Sequence, residues 1–314
     1  MRRSFLLTGL ASLTLTACGG SDEPAEMDVD AVVPEISEAE TSVEQTAEIE
    51  DTMATGTLDW ALAGEWRGDN GERDGFRHPG ETLGFFGISS SDTVIEIWPG
   101  GGWYAEILAP WLNANDGTYV AAHFPMDSES ENRRNSRMNF ESRFLGTELF
   151  GDVIVRDWGP DDIGLGEIGT ADAVLTFRNI HNWMRGGFTE RAFDDFYAVL
   201  RPGGVLGVVE HRLPDTREQD PLASSGYVRE AYVIAIAREA GFELVDSSEI
   251  NTNAADTADH PNGVWTLPPS QDGWDMEGFD SAPFAAIGES DRMTLLFRKP
   301  DTDAVSLENT APED

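Results

Sequence analysis

Val94-Ile95-Glu96-Ile97-Trp98-Pro99-Gly100-Gly101-Gly102-Trp103 is a β-branched apolar run that enters a glycine turn and leaves it as an amphipathic segment. The run reads as a buried strand, and the glycines give the sharp turn that opens a helix. In a doubly wound sheet such a turn sits at the carboxyl end of a strand. There, missing side chains let a ligand approach the backbone, and helix-terminal N–H groups attract anions. A nucleotide-like ligand is expected at this turn; the alternative is a structural turn with no ligand.

On either side of this turn, short β-branched runs alternate with helical patterns, which predicts a parallel sheet covered by helices on both faces. The strands are Thr93–Trp98, Thr118–His123, Val153–Arg156, Ala173–Phe177, Val205–Glu210, Phe242–Ser247 and Met293–Arg298. Helices are predicted at Trp103–Leu112, Arg133–Leu145, Glu190–Leu200 and Tyr227–Ala240, the last two stopped by Gly203-Gly204 and Gly241. Between Leu58 and Pro300 this makes one α/β domain of roughly 240 residues, enough for a large core. No helix is evident between Ser247 and Met293, so the last strands are expected to close the sheet as an antiparallel pair. The stretch from Asn251 to Glu289, with His260, Trp265, Pro268, Pro269 and Trp274, is longer than most loops. It is either a lid or acceptor wall, or a packed decoration.

Gly100-x-Gly102 followed by Ala105 also satisfies the dinucleotide fingerprint, so NAD(H) has to be considered. That reading wants an acid at the end of the next strand to bind ribose hydroxyls. Ala121-Ala122-His123-Phe124 offers a histidine instead.

Glu96 before the glycine turn, Arg156-Asp157 after the third strand, Arg178-Asn179-Ile180-His181-Asn182-Trp183 after the fourth and Leu200-Arg201-Pro202-Gly203-Gly204 before the fifth recur in a set order. In that order the chain resembles class I S-adenosylmethionine (SAM)-dependent methyltransferases. More narrowly, Arg77-His78-Pro79-x-Glu81-Thr82-Leu83-x-Phe85-Phe86-Gly87, the stretch Glu96 to Tyr104 and Arg178-Asn179-x-His181-Asn182 are similar to a bacterial group of predicted methyltransferases of uncharacterised substrate. The likeness runs from Leu58 to Lys299. It implies a three-layer, Rossmann-like α/β fold with a seven-stranded, mostly parallel sheet and an antiparallel last strand, and SAM as cofactor.

The resemblance also assigns residues. Glu96 would approach the amino group of the SAM methionine moiety, with Gly100, Gly101 and Gly102 against the cofactor, where a side chain would block the approach. Asp157 would accept from the adenine amino group, although it could equally cap the next turn. Arg178 and Asn179 would lie near the sulfonium and the acceptor, with a surface ion pair as the plainer role for Arg178. Two positions depart from the family pattern: Trp98 stands where its first glycine is expected, and His123 where an acid holds the ribose. His123 could still exchange one hydrogen bond with a ribose hydroxyl. These departures leave open altered cofactor geometry, weak SAM binding, or a binding protein that has lost catalysis.

Methyl transfer from a sulfonium is an in-line displacement, so the protein mainly aligns donor and acceptor and excludes water. An oxygen or nitrogen acceptor can also need a base. His181 and His211, both expected just beyond strand ends, are the candidates; buried structural histidines are the alternative. Tyr227 and Trp183 are candidate acceptor contacts. The five histidines are scattered, with no His-Glu-x-x-His spacing and no Gly-x-Ser-x-Gly elbow, so neither a metal nor a hydrolase mechanism is expected.

Arg2-Arg3 followed by an apolar run from Phe5 to Leu15 and by Leu15-Thr16-Ala17-Cys18 reads as a signal peptide over residues 1–17, too short to span a bilayer. The small residues before Cys18 resemble a lipobox, which implies acylation of Cys18; an ordinary secretory signal is the alternative. Gly19 after that cysteine favours the outer membrane, on the periplasmic side of the envelope. Arg2-Arg3-Ser4-Phe5-Leu6 also resembles a twin-arginine export signal. Residues 18–57 and 301–314, rich in Asp and Glu, read as solvated acidic tethers. A net charge of −37 argues against nucleic-acid binding, which needs Lys and Arg to neutralise phosphates. The expected partner is a small-molecule acceptor, with the membrane met only through the anchor. Three functions stay open, in this order: a small-molecule methyltransferase, a SAM-fold binding protein without catalysis, and an NAD(H)-binding oxidoreductase.

Overall fold

Alternate residues of the central strands feed two different cores. In β1 (Thr93–Ile97), Ile95 and Ile97 pack on one side with Val120, Ala122, Val174, Leu206 and Val208, while Val94 packs on the other with Tyr119, Ala121, Ala173, Leu175 and Val209. A sheet apolar on both faces has to be covered twice, which is why three layers form. The computed structural model describes residues 54–161, 164–273 and 276–301. The leader, Cys18, the acidic stretch as far as 53, the tail from 302 and Trp274 lie outside the described residues.

In chain order the elements begin with α1 (Leu58–Leu62), a 3₁₀ stretch (Glu65–Arg73), α2 (Asp74–Arg77) and α3 (Pro79–Phe86), followed by β1, α4 (Ala105–Asn113), β2 (Thr118–His123), α5 (Glu131–Phe144) and β3 (Ile154–Asp157). Then come β4 (Ala171–Phe177), α6 (Ile180–Gly186), α7 (Thr189–Val199), β5 (Leu200–His211), α8 (Glu230–Glu239) and β6 (Glu243–Ser248). A second 3₁₀ turn (Gly263–Thr266), α9 (Ala282–Ala285) and β7 (Arg292–Arg298) complete the domain. One core holds α6, α7 and α8; the other holds α1, α3, α4 and α5.

The strand order is β3-β2-β1-β4-β5-β7-β6, parallel throughout except for β7, which runs antiparallel to both β5 and β6. The seven-stranded, mostly parallel sheet with an antiparallel last strand is therefore as expected. A dinucleotide-binding sheet continues from its fifth strand to a parallel sixth; here β7 is inserted at that place, which separates this sheet from the NAD-type arrangement.

Two local features hold the N-terminal segment onto the sheet, and sequence periodicity shows neither. Pro110 lies inside α4 and cannot donate to the carbonyl of Glu106 one turn back. The indole Nε1 of Trp66 donates to that carbonyl instead, at 2.8 Å. Gly207 of β5 faces α3, and a Cβ there would come within 2.7 Å of the Phe86 ring and 2.8 Å of Leu175. Its hydrogen lets the helix lie close to the strand and brings Arg77 to the carboxyl edge of the sheet.

Candidate functional site

A cavity of about 420 Å³ opens at that carboxyl edge. Three strand ends shape it. Glu96 and Trp98 follow from β1, Arg178 and Asn179 from β4, and His211 ends β5; all line the cavity, as do Gly100, Gly101 and His181. Across from them stand Arg73, Arg77, Trp103 and Tyr104 from the N-terminal half and Arg292 at the start of β7. Val264, Trp265, Pro268, Pro269 and Ser270 close the remaining side, so the long excursion after β6 is a wall of the cavity. Its base is pinned by Asp256, whose carboxylate accepts from the Tyr227 hydroxyl (3.0 Å), His260 Nε2 (2.8 Å) and the Asp291 backbone N–H (2.8 Å).

Two strand ends carry non-glycine residues at positive φ, Trp98 at 46° and Arg178 at 62°. Such backbone costs on the order of 1–3 kcal/mol per residue and concentrates at binding sites. At Arg178 the bend is held by its own N–H donating to the Val209 carbonyl (2.7 Å), and next to it Asn179 Nδ2 donates to the Ile97 carbonyl (2.8 Å), which ties β4 to β1.

Glu96 is buried, and Tyr119 Oη donates to its Oε2 at 2.6 Å. Burial pushes its carboxyl up to about 7, against the Tyr119 hydrogen bond and the charge of Arg178. A carboxyl poised in this way gains strongly from an ammonium partner.

His181 and Glu210 form a dyad. Glu210 is fully buried at the end of β5, and its two oxygens accept four N–H groups. These are the backbones of Ile180 (2.6 Å), His181 (3.4 Å) and His211 (2.8 Å), and His181 Nδ1 (3.1 Å). A carboxylate only accepts, so the ring proton of His181 sits on Nδ1 and the lone pair on Nε2. His181 Nε2 makes no hydrogen bond to a described residue. His211 Nδ1 instead meets Ser290 Oγ at 2.6 Å, and burial, with the neighbouring His181 ring and the charges of Arg292, Arg178 and Arg77, holds its ring well below the ordinary histidine range. His211 is therefore a poor proton acceptor. His181, Glu210 and His211 are also the only described side chains grouped closely enough to share a metal ion. Glu210's oxygens are committed to N–H groups and three arginines stand nearby, so the surroundings oppose a cation.

Five expected contacts fall outside the cavity. His123 is turned under the glycine turn: its Nε2 donates to the Gly100 carbonyl (3.2 Å), its Nδ1 accepts from the Phe124 N–H (2.8 Å), and burial holds it down to about 4. It buttresses the turn and does not line the cavity. Asp157 pairs with Arg137 at 2.8 Å and half faces solvent. Trp183 is fully buried among Trp98, Trp158 and Phe196, and Tyr227 is spent on Asp256. Gly102 is needed, but for packing, since a Cβ there would sit 2.3 Å from the Phe144 ring. By contrast, Cβ atoms at Gly100 and Gly101 would meet nothing within 4 Å.

No family model and no curated sequence matches the chain. Among solved structures, the 4+2 cyclase SpnF aligns over 72% of this chain and 80% of its own at 18% identity, with a TM-score of 0.50. Together with the β7 insertion this decides the architecture. The fold is that of the class I methyltransferases. A SAM-dependent methyltransferase from Aquifex aeolicus (19% identity; 57% of this chain, 87% of that one; TM-score 0.45) is also similar. So is a geranyl diphosphate methyltransferase in complex with SAM (12%; 76% and 94%; 0.49). At these identities the likeness extends to the fold alone.

Tested against SAM, this methyltransferase-fold cavity fits the amino-acid end. The open faces of Gly100 and Gly101 would form the cradle and Glu96 would supply a carboxyl for the ammonium. At the adenosyl end the Trp98 indole packs on Phe124 (4.7 Å between centroids) and Trp158 (5.6 Å), and its Nε1 donates to the Trp158 carbonyl at 3.0 Å. It holds the space between the ends of β2 and β3, where the resemblance expects adenine.

Proposed function

We propose that the chain transfers a methyl group from SAM to an oxygen or nitrogen of a small molecule, with His181 as the base and Glu210 as its positioning partner. The observation that carries this reading is that the open face of the glycine turn and His181, backed by the buried Glu210, line one cavity. SAM would supply an electrophilic methyl on its sulfonium, held by Glu96, Gly100 and Gly101. His181 Nε2 would take the acceptor's proton as the nucleophile attacks, and the imidazolium so formed would be stabilised by Glu210, as a carboxylate stabilises a histidine base elsewhere. Trp265 and the two prolines of the excursion exclude water from that exchange.

Titration calorimetry is expected to show binding of SAM and S-adenosylhomocysteine and none of NADH. Gly100→Val abolishes it, since a β-branched residue at φ 60° is strained and its side chain enters the cradle. Binding of NADH alone would overturn the methyltransferase reading. The position of Trp98 favours a second reading, a SAM-fold protein that binds without catalysis; SpnF, by its name a cyclase, shows that the fold is not tied to methyl transfer. Labelled SAM incubated with metabolite extracts separates the two, because only the first yields a labelled product.

The leader supports a further part of the proposal, that the protein is an exported lipoprotein anchored through Cys18. Mass spectrometry of the mature N-terminus is expected to find an acylated Cys18 in the membrane fraction. An unmodified, soluble mature chain refutes the anchor.

A further inference from the structure

Four guanidiniums line the cavity, those of Arg73, Arg77, Arg178 and Arg292. Three of them share one carboxylate: Glu289 accepts from Arg73 Nε (2.7 Å), Arg77 Nε (3.1 Å) and Arg292. Arg178 makes no side-chain hydrogen bond to any described residue and meets Glu289 only through its longer-range field. In a chain of net charge −37, this wall therefore carries a local excess of positive charge. The excess is under strain. Burial and the charges of Arg178, Arg292 and Arg73 pull Arg77 down to about 8 against the attraction of Glu289. Guanidiniums keep their proton in proteins, so the repulsion persists until an anion relieves it. Beside the arginines the wall is flat and aromatic. Tyr104 stacks on Phe177 at 3.6 Å, Trp103 lies under Arg77 at 4.6 Å, and Trp265 faces His181 at 5.9 Å.

We propose that the molecule this cavity takes beside the cofactor is a small planar acid, its carboxylate held by Arg178 with Arg77 and Arg292 and its body against Phe177 and Trp265. This assignment rests on the methyl-transfer reading for its chemistry, because the acid then presents an oxygen or nitrogen to His181. The forked donors of arginine match the two oxygens of a carboxylate, and among the four only Arg178 makes no side-chain hydrogen bond to a described residue, whereas Arg73, Arg77 and Arg292 each bond Glu289. The same chemistry has a second source, the carboxylate of SAM itself.

Calorimetry on the whole protein separates the sources, using benzoate as the probe, benzylamine as the same body with the opposite charge, and each titration repeated with S-adenosylhomocysteine at saturation. Benzoate is expected to bind, benzylamine not, and benzoate to bind equally well with S-adenosylhomocysteine present. Arg178→Gln weakens benzoate roughly 10- to 100-fold and leaves S-adenosylhomocysteine within about twofold, with an unchanged melting temperature. Arg178→Lys, which keeps the charge and loses the fork, falls in between. Competition between benzoate and S-adenosylhomocysteine, or an equal loss of both in Arg178→Gln, assigns the cluster to SAM and overturns the proposal. So does the absence of saturable benzoate binding, or benzoate binding that ignores Arg178. If benzoate binds through Arg178 while S-adenosylhomocysteine does not bind at all, the acid site stands and the methyl-transfer reading falls alone.

Discussion

Replacing His181 by alanine is expected to lower methyl transfer by about 10²- to 10⁴-fold while S-adenosylhomocysteine binds as before. The ring lines the cavity from α6, a different element from the glycine turn, so its loss removes the proton acceptor without touching the cofactor cradle. Glu210→Gln is expected to fall in the same range for a different reason. A carboxamide can offer N–H as well as accept it, so it no longer fixes the Nδ1 proton of His181, and it cannot accept all four N–H groups that Glu210 now takes. His211→Ala is expected to cost far less, because burial and nearby positive charge already make that ring a poor base. The assay is transfer of label from SAM into an extract. Turnover as a function of pH is the deciding measurement, since loss of a base removes the acid limb of the profile and loss of packing does not. If both His181→Ala and Glu210→Gln keep full turnover, the base assignment is wrong and the reaction is alignment alone.

The parts of this arrangement legible in the sequence are those that local pattern controls. Val94 to Ile97 could only be a buried strand, and the glycines after it could only be a turn. The β-branched runs then located the other strands to within a few residues, although β5 begins at Leu200, where Leu200 pairs with Ala171, so the glycine pair lies inside the strand. Sequence periodicity does not show helix α6, because Ile180–Gly186 spans only about two turns, too short for a helical repeat to stand out. Positions could be inferred where side-chain directions could not. His123 ends β2 as expected, yet its ring is drawn under the turn by the Gly100 carbonyl, and Asp157 ends β3 but is claimed by Arg137. Trp98 was legible as a departure, and its positive φ explains how a bulky residue replaces a glycine there. Glu210 gave a readable signal, an acid ending an otherwise apolar strand beside a candidate histidine. The arginine cluster gave none, since Arg73 and Glu289 are 216 residues apart and only the sheet order brings them together.

Removal of Glu289 is expected to cost a large share of the stability. Its side chain is 3% exposed and stands among Arg73, Arg77 and Arg292. Burial alone would push its carboxyl up, but Arg292, Arg77, Arg73 and Arg178 outweigh that and hold it down to about 2, from an ordinary 4.5. A depressed carboxylate stabilises the fold above its unfolded pKa and ceases to do so as the pH falls through its folded one. The contribution is thus complete above about pH 4.5 and gone near pH 2. At about 1.4 kcal/mol per pH unit this amounts to about 3 kcal/mol. Removing one partner of a buried ion pair costs a similar amount, about 3–5 kcal/mol, because the remaining charges are left uncompensated. Glu289→Gln is accordingly expected to lose stability of that order at pH 7 in urea denaturation. Its stability should also change less than the wild type's between pH 4.5 and pH 2, so that the two curves converge in acid. Curves that stay parallel over that range would mean that the arginines do not depend on Glu289 for their neutralisation. Partial recovery of the variant by benzoate would be the same electrostatics seen from the ligand's side, an added carboxylate standing in for the one removed.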